Sequence, residues 1–122
     1  HKLGVVFNLD PHNKPGSHWV SFFADFKTGK ILYFDSYGFK APSQIKTFAN
    51  RLITQGQNNS IPMRYLENKR RHQFKDSECG IYSIYFIESM LNGKNFSRFC
   101  NSNIPDEVME RLRSKYFIKY SS

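Results

Sequence analysis

At 122 residues the chain is sized for one domain burying about two thirds of its unfolded surface, and 39% hydrophobic with 16% aromatic content supports a packed core and excludes a disordered chain. Two cysteines with neither a CxxC nor a framework spacing argue against a disulfide scaffold and a zinc ribbon, and no apolar run approaches the ~20 residues that cross a bilayer. Eighteen basic against ten acidic side chains leave a net charge of +8, which favours acidic proteins, nucleic acid or anionic surfaces as neighbours.

The first residue is His1 and no signal-peptide pattern follows it, so the expectation is a single domain over residues 1–122 cut from a longer chain, in a reducing, intracellular setting without a membrane partner. Leu3 to Leu9 alternates as a strand and ends in a loop that contains Pro11, Pro15 and Gly16. His18 to Phe26 and Lys30 to Asp35 are β-branched and aromatic, separated by Lys27-Thr28-Gly29, and predict a hairpin. Ala41 to Gln55 carries Ile45, Phe48, Ala49, Leu52 and Ile53 at helical spacing, with Pro42 in the first turn and Gly56 after the end. A short strand is expected near Pro62 to Leu66. The basic run Asn68-Lys69-Arg70-Arg71-His72 reads as a solvated loop, with Lys69, Arg70 and Arg71 as candidate contacts to nucleic acid. Cys79 to Leu91 is apolar on nearly every face and stops at Asn92-Gly93, as a buried helix would. Pro105 to Tyr116 predicts a last, amphipathic helix.

Four residues in this framework carry chemistry. Asp76, Ser77 and Glu78 suit a helix start, which puts Cys79 in the first turn, where unpaired N–H groups and the positive end of the helix dipole favour a thiolate. His18 can serve as base, Asp35 can orient it, and Gln73 can donate its amide N–H to an oxyanion together with the Cys79 backbone. Gly80 lets a substrate backbone come close, and Trp19 either shields the site or packs in the core. Cys100 has no comparable company and reads as structural. If residues 28 and 29 alone close the hairpin, Phe22 lies opposite Asp35, and His18 and Asp35 share a face. That register leaves them roughly 13 Å apart along the strands at about 3.3 Å per residue.

The order His18-Trp19, Asp35-Ser36, Gln73 and Cys79-Gly80 resembles the ubiquitin-like-protein proteases, the SUMO proteases, and their viral relatives of the adenovirus, poxvirus and African-swine-fever types. In papain-like enzymes a glutamine also precedes the cysteine, but there the nucleophile comes before the histidine. The resemblance runs from His18 to Gly80 and extends into the following helix, and the segment Lys14-Pro15-Gly16-Ser17-His18-Trp19 is most like members from large DNA viruses. It implies an α+β fold, a papain-like and adenain-like cysteine protease core in which a central helix headed by Cys79 packs on a mixed β-sheet with flanking helices. It further implies Cys79 as nucleophile, His18 as general base and then acid, Asp35 as the orienting acid, Gln73 as oxyanion donor, and Trp19 and Gly80 at the substrate. No cofactor or metal is implied. Cleavage is expected after small residues, at Gly-Gly or Gly-Xaa sites, through a thioester.

Four functions are open at this stage. The leading expectation is a cysteine endopeptidase acting on viral structural or polyprotein precursors, in the host cytoplasm or nucleus, with packaging in the virion as a further expectation. The alternatives are a deconjugating or maturing protease for a ubiquitin-like modifier, an acyl transferase built on the same core, and a catalytically dead binding module.

Overall fold

The computed structural model describes residues 2–9, 18–72, 79–102 and 106–112, with the Cys79 side chain outside that set. Four strands form one sheet in the order β1 (Lys2–Leu9), β2 (His18–Asp25), β3 (Lys30–Phe34), β4 (Arg64–Glu67). The first two neighbouring pairs are antiparallel, and β4 joins β3 in parallel after a crossover through α1 (Ser43–Asn58). Two consecutive strands cannot be parallel without such a crossover, so the helix between them follows from the pairing. Then come α2 (Cys79–Leu91) and α3 (Phe96–Asn101), and residues 106–112 are also helical. The sheet is mixed and the architecture α+β, as expected from the sequence. No helix among the described residues is long and apolar enough to cross a membrane.

Helices cover both faces of the two central strands, which is why β2 reads as a continuous apolar run rather than an alternation. Val20, Phe22 and Ala24 of β2 and Ile31 and Tyr33 of β3 pack with Ile45, Ala49 and Leu52 of α1. Phe23, Leu32 and Phe34 pack on the other side with Tyr82, Phe86 and Met90 of α2, Phe99 of α3 and Met109. Phe34 stacks on Phe86 at 4.9 Å and meets Phe99 edge-on at 5.2 Å. Each buried phenylalanine contributes about 1.5–3 kcal/mol relative to exposure. The period of two along β2 therefore divides its side chains between two cores.

The hairpin departs from its expected register. Asp25 pairs with Lys30 and Phe22 with Tyr33, so the loop has four residues, 26–29, instead of two. The cause is local: the Asp25 Oδ1 accepts N–H bonds from Lys27 at 3.0 Å and Thr28 at 3.3 Å, and Gly29 closes the turn with a φ of 73°. Continued by one step past Ser21 and Phe34, this register sets Asp35 beside Val20, two residues from His18 instead of four.

Other boundaries moved for tertiary reasons. Gly56 lies inside α1, not after it, and a Cβ there would stand 2.5 Å from the Ile61 carbonyl oxygen, so close approach of the returning chain, not a helix stop, calls for glycine at this position. Pro42 is the N-cap of α1 and makes no side-chain cap bond. At the expected stop of α2, the N–H groups of Gly93 and Lys94 bond the carbonyls of Met90 and Ser89, a Schellman closure. The helix α3 had no counterpart in the sequence reading; Asn95 caps it by accepting from the Arg98 N–H at 3.1 Å. Of the last expected helix, residues 106–112 are helical and Pro105 and 113–116 lie outside the described residues.

Candidate active site

His18 opens β2 and Asp35 follows the last residue of β3, so both stand at one end of adjacent strands. Their side chains meet: His18 Nε2 is 2.9 Å from Asp35 Oδ2. The carboxylate is almost fully buried at 2% exposure, and the imidazole keeps 19%. A buried acid holding a partly exposed imidazole fixes the ring while leaving it open to a reactant. The second carboxylate oxygen, Oδ1, accepts the Tyr37 N–H at 2.8 Å.

The acid is held by a neighbouring strand as well. Asn68 directly follows β4, and its buried side chain accepts from the Asp35 N–H at 2.9 Å and donates to the Asp35 carbonyl at 2.7 Å and the Arg70 carbonyl at 3.1 Å. Close by, the His72 N–H bonds the Ser36 carbonyl at 2.7 Å. Gly38 adopts a φ of 78°, and a Cβ on it would lie 2.8 Å from the Lys69 carbonyl oxygen, so the two loops are in backbone contact. The basic run is thus a solvated loop only in part. Lys69, Arg70 and Arg71 are exposed, but Asn68 and His72 are buried anchors at its two ends. Arg70 donates to the Asn101 carbonyl at 2.9 Å, and the Arg71 guanidinium lies 5.1 Å from the centre of the Tyr37 ring.

The helix α2 begins at the same end of the sheet. A Cβ on Gly80 would be 3.9 Å from Trp19 Cδ1, and a Cβ on Gly4, paired with Phe23, would be 2.9 Å from Ile87 Cγ2. Seven helical residues advance about 10 Å and four strand residues about 13 Å, so α2 runs alongside β2 in the same direction. Cys79, its first residue, is therefore at the His18 end, where the helix dipole favours an anion. Gln73 and the side chain of Cys79 lie outside the described residues. Trp19 is 37% exposed and on the strand face opposite His18, which makes it a wall between β2 and the start of α2 rather than a member of either core cluster. Cys100 is buried, and burial pushes its thiol up to about 12, so at neutral pH it is a protonated core group.

Asn68 and Tyr37 were not singled out by sequence reasoning. Tyr37 lies against the His18 ring at 5.2 Å. The signal for Asn68 would have been the parallel register of β4, which carries it one step past the Tyr33–Glu67 pair, within side-chain reach of the Asp35 backbone, and which no local pattern reveals.

The model of the Ulp1 protease family, C-terminal catalytic domain, matches residues 5–121, and the chain belongs to that family. A protein of Acanthamoeba polyphaga mimivirus that bears a thiol-protease name is 36% identical over 120 residues, covering 94% of this chain and 38% of its own length. The cysteine protease of an African swine fever virus isolate is 32% identical over 118 residues, covering 94% of this chain and 43% of its own, and in other isolates the protein is named a SUMO-1 cysteine protease. The crystal structure of the African swine fever virus protease superposes with a TM-score of 0.85 at 30% identity, over 92% of this chain and 42% of that one. The chain thus spans about two fifths of the length of these relatives.

Proposed function

We propose that this member of the Ulp1 protease family carries the catalytic core of a cysteine protease, with Cys79 as nucleophile, His18 as base and Asp35 as the residue that orients it. The observation that carries this reading is the 2.9 Å contact between His18 and a buried Asp35 at the end of the sheet where α2 starts with Cys79. In this mechanism His18 takes the Cys79 proton and the thiolate attacks the substrate carbonyl carbon. The oxyanion forms against the Cys79 N–H and the Gln73 amide. His18 then protonates the leaving amine as the C–N bond breaks, and water, deprotonated by His18, hydrolyses the thioester. Trp19 and Gly80, adjacent across β2 and α2 with room for no more than a Cβ between them, border the path of the substrate backbone, and cleavage follows a small residue such as glycine.

The substrates favoured are viral precursor proteins, because the two named relatives are viral proteases, and the setting is the infected cell. A second reading, maturation or deconjugation of a ubiquitin-like modifier, is favoured by the family description and by the SUMO-1 name given to several relatives. None of the catalytic steps uses the basic run, and Arg70 is taken up by the Asn101 carbonyl, so a nucleic-acid contact there does not enter the proposed function.

The test is the rate of iodoacetamide alkylation of Cys79 against pH in the wild type and in His18→Ala, with the buried Cys100 as an inert internal control. Fast reaction well below the ordinary thiol range of about 8.5, lost without His18, supports an activated thiolate–imidazole pair. A Cys79 that reacts no faster than Cys100 and ignores His18 makes the protein a binding module.

A further inference from the structure

Next to His18 lies a surface for which the hydrolytic steps above have no use. Phe39 is 58% exposed, more than any other large hydrophobic side chain among the described residues. Its ring stacks on Tyr37 at 5.6 Å with an interplanar angle of 21°, and both rings touch His18, at 6.4 Å from Phe39 and 5.2 Å from Tyr37. Arg71 covers the Tyr37 ring. The close approach of Gly38 to the backbone of Lys69, Arg70 and Arg71 holds this aromatic loop against the basic one. The result is a preorganised apolar platform at the imidazole, flanked by the exposed cations Lys40, Lys69 and Arg71. Asp35, the carboxylate beside it, is buried and bonded to His18.

An exposed aromatic ring that is already immobilised is what an interface anchor requires, since little side-chain entropy is lost when it is covered. The cations on its flank, in a chain of net charge +8, set the sign of the partner. We infer that Tyr37 and Phe39 form a subsite that docks an acidic segment of the protein substrate, with an apolar side chain of that segment on Phe39 and its carboxylates facing Lys40, Lys69 and Arg71. The inference rests on the protease reading, because the platform touches the imidazole that would carry out the proton transfers.

Binding is measured in Cys79→Ala, where turnover cannot intervene, with a fluorescein-labelled peptide that has glutamates on both sides of one phenylalanine. Two controls replace the phenylalanine by alanine or the glutamates by glutamines. The expected result is a preference of about tenfold for the first peptide over each control, weakening with added salt. Phe39→Ala in the same background, with unchanged melting, removes the preference over the alanine control and leaves that over the glutamine control. Equal binding of the three peptides, or a preference over the alanine control that survives Phe39→Ala, overturns the subsite. A single-stranded DNA oligonucleotide that binds more tightly than the acidic peptide, with or without Phe39, overturns it as well and assigns the basic flank to nucleic acid. Alkylation of Cys79 in the wild type keeps the two readings apart. A reactive thiol without peptide preference removes the subsite alone, whereas peptide preference with an inert thiol removes the protease and leaves the docking surface standing.

Discussion

The side-chain amide of Asn68 grips the Asp35 backbone on both sides of its Cα, accepting from its N–H at 2.9 Å and donating to its carbonyl at 2.7 Å. The carboxylate that contacts His18 is therefore positioned by the residue that follows β4, 33 positions later in the chain. A buried amide with three partners has little freedom, and neither has the carboxylate it supports.

Asn68→Ala is expected to lower unfolding free energy by about 1–3 kcal/mol, because it strands the Asp35 N–H and two carbonyls that are shielded from water. Asn68→Asp keeps the acceptor for the Asp35 N–H, loses the donor and adds a second negative charge beside Asp35, so it should lose at least as much. Urea unfolding of the three proteins checks the order. Stability equal to the wild type in Asn68→Ala would mean that water or a neighbouring group replaces the amide.

Rates should separate the members of the proposed triad. Cys79→Ala is expected to abolish turnover with the fold intact, since alanine is tolerated at a helix start. His18→Ala should cost more than Asp35→Asn, for which a loss on the order of 10²–10⁴ is expected, because asparagine can still accept the Tyr37 N–H through its amide oxygen. Cys100→Ser should leave the rate unchanged. Steady-state turnover of a Gly-Gly peptide substrate, beside melting curves, gives the ranking.

Gly38→Ala tests the contact between the two loops. A side chain at a φ of 78° costs about 1–2 kcal/mol, and the Cβ would also press on the Lys69 carbonyl oxygen at 2.8 Å. Relief requires the loop after Asp35 to move away from the loop that begins with Asn68. The expected outcome is a loss of activity larger than the loss of stability predicts, read as a fall in kcat at temperatures far below melting.

His72 makes the same region sensitive to acid. Burial pushes its imidazole below the ordinary value of 6.5, a backbone hydrogen bond with Cys100 opposes that shift, and the Arg70 charge adds to it. Its ring packs against Phe34 and Phe99, and its Nε2 has no hydrogen-bond partner among the described residues. The sign follows from linkage: below 6.5 the unfolded chain takes up a proton that the folded chain resists. The contribution is thus fully present above 6.5 and is lost as pH falls from there through the lowered folded value, at no more than about 1.36 kcal/mol per pH unit. Denaturant unfolding between about pH 8 and about pH 5 should show this decline, and His72→Phe should flatten it.

What the sequence determined by itself is what short-range physics writes into it. Helical periodicity located α1, the apolar run and the Asn92-Gly93 stop located α2, and the β-branched run located β2 and β3. The period of two placed His18 and Asp35 on one face, and because a hairpin register that slips by two residues preserves that parity, the shared face survived an error in the loop length. The distance between them did not, since it depends on how many residues the turn consumes, and that was decided by the Asp25 side chain capping the turn. Asn68, the wall made by Trp19 and Gly80, and the aromatic platform at His18 were decided only by tertiary structure. Each joins residues from strands or loops far apart in the chain, through a parallel register and a helix direction that no local pattern encodes.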